Sequence, residues 1–161
     1  MRCIIYIIIL FWPICLKAQP INHEQIALDH FMEKIFDLKY KKLKAIEFSG
    51  FTENALTRIR YGNNCFENLP DLHINLFFNA QDKLITEKKI ILPFRKGLKI
   101  KRINMFSSKR FKLLICGVNT VNDRFYVSIE MFKLNYHVDI YLFEMDKMGN
   151  ILRWCETGAT F

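Results

Sequence analysis

From Asn22 onward the apolar residues recur at helical spacing. Leu28, Phe31, Met32, Ile35 and Phe36 share one stripe, with Glu24, Asp29, Glu33, Lys34 and Asp37 set between them. The pattern predicts one amphipathic helix over residues 22–38. Asn22 is a good N-cap with Gln25 three residues on, the spacing of a capping box, and Ile21 and Ile26 stand where a hydrophobic staple places them. Phe31, Ile35 and Phe36 are the expected core contacts of this helix.

Downstream the period changes to two, with Gly, Asn, Asp and Pro marking the breaks. Ile46 and Phe48 fall on one face of a short strand. Leu72, Ile74, Leu76 and Phe78 line another, followed by a turn at 79–83 into a strand over 84–92. Leu98 and Ile100 alternate with Lys99 and Lys101. The stretches FKLLICGV, FYVSIEMFKL and VDIYLFEM are apolar at nearly every position, as strands covered on both faces are.

The stretch EMDKMGNILRWCETG, from Glu144 to Gly158, admits three readings: a calcium loop, a reactive-cysteine site or a hairpin turn. A calcium loop counted from Asp146 places Met148 at the third position and Ile151 at the sixth, where an oxygen ligand and a glycine are required. Arg153 stands two residues from Cys155, the cation a thiolate would need, but strand-like segments flank Gly149 and Asn150, which tolerate positive φ. We therefore expect a hairpin turning at 146–150, with Trp154 packed on the domain and Cys155 structural.

One helix followed by strands with short connections predicts an α+β fold, an N-terminal helix packed on a curved, mainly antiparallel sheet. That element order resembles the cystatin-like superfold and the related cone-shaped fold of ketosteroid isomerase and nuclear transport factor two. The Q-x-V-x-G loop by which cystatins block cysteine proteases does not occur in the sequence, which argues against protease inhibition.

The first eighteen residues change the picture of compartment. Arg2 precedes an apolar run from Cys3 to Cys15, and Ala18 closes the segment, the layout of a secretory signal peptide. The run is shorter than the roughly 20 residues of a membrane-spanning helix. Cys15 follows Ile14 rather than the small residue that precedes a lipid-modified cysteine. We expect cleavage after Ala18 and a secreted or periplasmic protein of one domain over 19–161, with no transmembrane segment in the mature chain. Cys65, Cys116 and Cys155 then remain, an odd number, so at most one internal disulfide forms. The sequence does not choose the pair.

Charge supplies the main functional signal. The chain carries a formal charge of +8, or +6 without Arg2 and Lys17. From Arg95 to Lys112 there are eight basic residues and no acidic one. Arg95, Lys96, Lys99, Lys101, Arg102, Lys109 and Arg110 are candidate anion contacts for an acidic protein, a polyanion or an acidic membrane surface. Nucleic acid is not an expected partner of an exported protein. The competing and simpler reading is that Lys99, Lys101 and Lys109 keep a strand and its turn soluble and guard an edge against unwanted pairing.

Candidate ligand-binding groups on the last strands are Glu130, Asp139, Tyr126, Tyr141 and His137, since a carboxylate in an apolar pocket gains proton affinity and can act as a general base. No phosphate loop, H-E-x-x-H, paired C-x-x-C or G-x-S-x-G occurs, and His23, His30, His73 and His137 stand at no ligand spacing, so neither a metal nor a cofactor is implied. The sequence reading is an exported, non-enzymatic binding or interaction module. Its alternatives are a small enzyme using a carboxylate in a cone-shaped pocket and a basic surface protein that docks on an acidic partner.

Overall fold

A computed structural model describes residues 20–53, 87–102, 111–133 and 137–160. The leader, the strand expected over 72–78, Cys65, Lys109 and Arg110 lie outside the described residues. Of the strand expected over 84–92, the described part makes one isolated bridge, Phe51 with Lys89.

The helix begins as α1, His23–His30, passes through a π-helical turn, Phe31–Phe36, and ends as α2, Asp37–Lys39. Asn22 caps it, its side-chain oxygen accepting from Gln25 N at 3.0 Å. The second half of the expected capping box is replaced. Gln25 turns its amide to Ile91, donating to the carbonyl at 2.8 Å and accepting from the backbone N–H at 2.9 Å. This use satisfies both ends of the amide and fixes a passing segment, whereas a box satisfies only one. Leu28, Phe31, Met32, Ile35 and Phe36 are all at most 3% exposed.

The helix packs on an open, mixed sheet of seven strands. They are β1 Ala45–Phe48, β2 Lys99–Lys101, β3 Phe111–Ile115, β4 Asn119–Val121, β5 Arg124–Lys133, β6 His137–Met145 and β7 Ile151–Thr160. The order is β2-β1-β3-β5-β6-β7, with β4 also pairing β5. From β3 to β7 the pairings are antiparallel, as the short connections led us to expect. Around β1 the sheet differs: β2 and β3 both run parallel to it. Parallel neighbours need long crossovers rather than hairpins, and the long stretch between Phe48 and Lys99 is such a connection.

Strand alternation divides the sheet into two faces. Ile46, Phe48, Leu113, Ile115, Val127, Ile129, Met131, Tyr141, Phe143 and Met145 join the helix in one core. The other face carries Glu47, Leu114, Ser128, Glu130, Val138, Ile140 and Leu142, all buried as well. That is why these strands read as apolar throughout.

Two tight connections are visible in detail. Asn122 and Asp123, both at positive φ, turn β4 into β5, the backbone that two-residue hairpins require. The hairpin at 146–150 forms as expected: Asp146 Oδ1 accepts from the backbone of Met148 and Asn150 at 2.8 and 2.9 Å, and Oδ2 accepts from the Asn150 side chain at 2.8 Å. The side-chain bond from Asn150, followed by its backbone bond, holds the Asp146 carboxyl below its ordinary range. Trp154 packs on Phe143, ring centres 6.3 Å apart, and remains 40% exposed. No helix among the described residues is long and apolar enough to cross a membrane.

Candidate functional site

The chain leaving the helix runs Lys39, Tyr40, Lys41, Lys42, Leu43, Lys44 into β1. Because β2 pairs parallel with β1, and Lys99 N donates to Lys44 O at 2.9 Å, the segment before β2 is drawn alongside it. That segment turns at Arg95–Leu98, where Leu98 N bonds Arg95 O at 3.2 Å and Gly97 takes φ +88. A positive φ at the third position of a turn is what glycine supplies, and it leaves Lys96 at the outer corner.

Between the helix and this turn lies an open groove of about 1030 Å³. Met32, Phe36, Leu43 and Leu98 give it apolar lining. Its charged lining is of two kinds. Asp29, Glu33 and Asp37 on the helix are engaged by Gln25, Lys34 and Arg95 respectively. Lys41, Lys42, Lys44 and Lys96 are exposed and make no ion pair among the described residues. Among the described residues, four lysines without an ion pair face one carboxylate without one, Asp29, which accepts only from the neutral Gln25 amide, so the groove carries an excess of positive charge.

Of the basic run read in the sequence, Arg95 turns inward. Its guanidinium pairs with Asp37, donates to the Met32 carbonyl in the π-helical turn and lies 5.8 Å from the centre of the Phe36 ring. Burial lowers its proton affinity, partly offset by Glu33. Arg95 thus braces the turn on the helix. Lys99 and Lys101 stand in register with Ala45 and Glu47, on the sheet face opposite Ile46, while Ile100 shares the face of Ile46. Strand alternation consequently splits the run. Among the described residues of the run, only Lys96 joins the groove without an ion pair, and its companions Lys41, Lys42 and Lys44 come from a second basic stretch that the sequence reading passed over. The signal that could have found them is the run of four lysines within six residues after the helix, at 39, 41, 42 and 44.

The ligand-binding candidates divide in the same way. Glu130 and Tyr126 lie on the face away from the helix, Glu130 accepting from Cys116 Sγ at 3.6 Å. Burial raises the Tyr126 phenol. Asp139, Tyr141 and His137 gather on the helix side with Tyr40, which the sequence did not single out. Tyr40 donates to Asp139 Oδ2 at 2.5 Å and lies 2.9 Å from the Tyr141 hydroxyl. His137 Nε2 meets Asp139 Oδ1 at 2.8 Å. Tyr141 donates to Glu156 at 3.4 Å, and Glu156 pairs with Lys39. Burial, then the bond to Asp139, pushes the Tyr40 phenol far above its ordinary value; burial does the same to Tyr141. Both oxygens of Asp139 are thus held by the protein's own groups.

Cys155 is disulfide-bonded and so is not a free thiolate nucleophile, while Cys116 is a buried thiol outside any disulfide. Among the described residues no three His, Cys, Asp or Glu side chains gather closely enough to hold a metal ion. Compared with known proteins, the chain matches no family model, no curated protein and no solved structure, so its function is argued from this geometry alone.

Proposed function

We propose that the protein is an exported, non-enzymatic binding module whose contact face is the basic groove between the helix and the Arg95–Leu98 turn. The observation that carries this reading is the meeting of Lys41, Lys42 and Lys44 with Lys96, from stretches far apart in sequence, while Glu33 and Asp37 are paired with Lys34 and Arg95 and Asp29 alone stands against the four lysines. A cluster of unmatched cations raises the local concentration of anions and steers an acidic partner to the groove. The apolar lining beneath the lysines adds contact area once the partner arrives.

Retention on a heparin column tests it. The triple variant Lys42→Glu, Lys44→Glu, Lys96→Glu is expected to elute at distinctly lower salt than the parent protein, because three cations of the groove become anions and fewer contacts with the polyanion remain for salt to compete with. Equal elution of the two would remove the groove from the account. A small enzyme built on Asp139 is the second reading, motivated by the short Tyr40 to Asp139 bond; the engagement of both Asp139 oxygens is why it ranks below the groove.

A further inference from the structure

Phe94 is 91% exposed, the most exposed of the large apolar side chains among the described residues, and Ile91 on the same stretch is 68% exposed. Single exposed apolar residues are common on protein surfaces and need no explanation. Two features set this one apart.

The first is that its backbone is anchored on both sides. Ile90 is buried in the core and its N–H donates to Gly50 O at 2.8 Å. Gln25 holds both backbone groups of Ile91. Immediately after Phe94, Arg95 is fixed to Asp37 and to the Met32 carbonyl. The phenyl ring is thus presented outward by a braced segment rather than left on a slack one, and less ordering remains to be done when it meets a partner.

The second is its company. Phe94 lines the groove together with Lys96, Lys41, Lys42 and Lys44. A polyanion in water would use the lysines and leave the ring exposed. An acidic protein would need an apolar socket placed to match it. An anionic bilayer supplies a charged layer with an apolar layer directly beneath, so lysines on flexible stems can stay at the phosphates while the ring goes deeper.

We propose that this face docks on an anionic lipid surface, with Phe94 entering the boundary between headgroups and acyl chains and Lys41, Lys42, Lys44 and Lys96 meeting lipid phosphates. The proposal rests on the reading of the groove as the anion-contacting face and adds the identity of the partner. Docking is peripheral and reversible: one inserted ring with a few cations is an interfacial anchor, not a span.

Co-sedimentation of the mature protein with vesicles tests it, using phosphatidylcholine alone and phosphatidylcholine mixed with phosphatidylglycerol, with heparin retention measured in parallel. The mixed vesicles are expected to bind the protein and the neutral ones not. Phe94→Ser should weaken vesicle binding by about tenfold, the loss of a large part of one buried phenyl, while heparin retention stays that of the parent. Each of Lys42→Ala and Lys96→Ala should weaken vesicle binding by roughly fivefold and heparin retention as well. Heparin retention without vesicle binding would overturn the lipid partner and leave the basic groove standing. Vesicle binding unaltered by Phe94→Ser would overturn the insertion. Absence of both kinds of binding would overturn the groove itself.

Discussion

The Cδ1 atom of Ile26 lies over the backbone of Gly149 so closely that a Cβ added at Gly149 would stand 2.6 Å from it. The contact joins the first turn of the helix to the hairpin between β6 and β7. Ile21 Cγ2 closes the same spot at 3.1 Å, and His23 Nε2 meets the Asp146 carbonyl at 3.1 Å beside it. The two isoleucines placed by the staple pattern therefore clasp a turn more than a hundred residues away in sequence.

Gly149 also sits at φ +83, so a side chain there is strained as well as crowded. Gly149→Ala is expected to lower stability by roughly 2 to 4 kcal/mol, combining the left-handed backbone term with overpacking. Urea unfolding measures it. Adding Ile26→Ala should recover the crowding part but not the backbone part. A double variant no less destabilised than the two single effects added together would show that Ile26 does not crowd the site.

The Tyr40, Asp139 and Tyr141 cluster gives a prediction in pH. Tyr40 and Tyr141 have their folded-state proton affinity raised, so the stability they contribute is complete below the unfolded phenol value of about 10 and is lost as pH climbs toward their folded values. Tyr40→Phe leaves Asp139 Oδ2 without its donor and should cost about 1 to 3 kcal/mol at neutral pH. The gap between the variant and the parent should narrow between pH 10 and 12, followed by urea midpoints. A constant gap would mean that Tyr40 ionises alike in both states.

Cys116 is a buried thiol outside any disulfide, while Cys155 is disulfide-bonded. If cleavage after Ala18 removes Cys3 and Cys15, Cys65 is the one other cysteine that can partner Cys155. Peptide mapping without reductant is expected to link the peptides of Cys65 and Cys155 and to find Cys116 unmodified until the protein is unfolded. Reduction should lower stability by about 4 kcal/mol, the value for closing a long loop. Recovery of Cys65 as a free thiol would break this pairing.

The amino-terminal prediction is a mass. Protein recovered from the envelope or the medium is expected to begin at Gln19, and intact-mass measurement decides it. A soluble species retaining Met1 would remove the leader and the exported compartment from the account.

Local pattern determined a good deal of this molecule. The helix stripe of Leu28, Phe31, Met32, Ile35 and Phe36 was readable because burial on one side imposes a helical period that no strand can satisfy. The turn at 146–150 was readable because Asp146, Gly149 and Asn150 carry their conformational preferences with them. What the sequence could not show is which distant segments lie side by side. Gln25 has the spacing of a capping box, yet it serves Ile91, because a neighbouring backbone offers both a donor and an acceptor. Lys96, Lys99 and Lys101 read as one basic run, yet the alternation of β2 sends its two lysines to the face opposite Ile46 while the turn before it presents Lys96 to the groove. The parallel pairing of β1 with β2 then brings Lys41, Lys42 and Lys44 to Lys96. That meeting depends on long-range strand register, which is fixed by the packing of the whole sheet and leaves no periodic trace in either stretch.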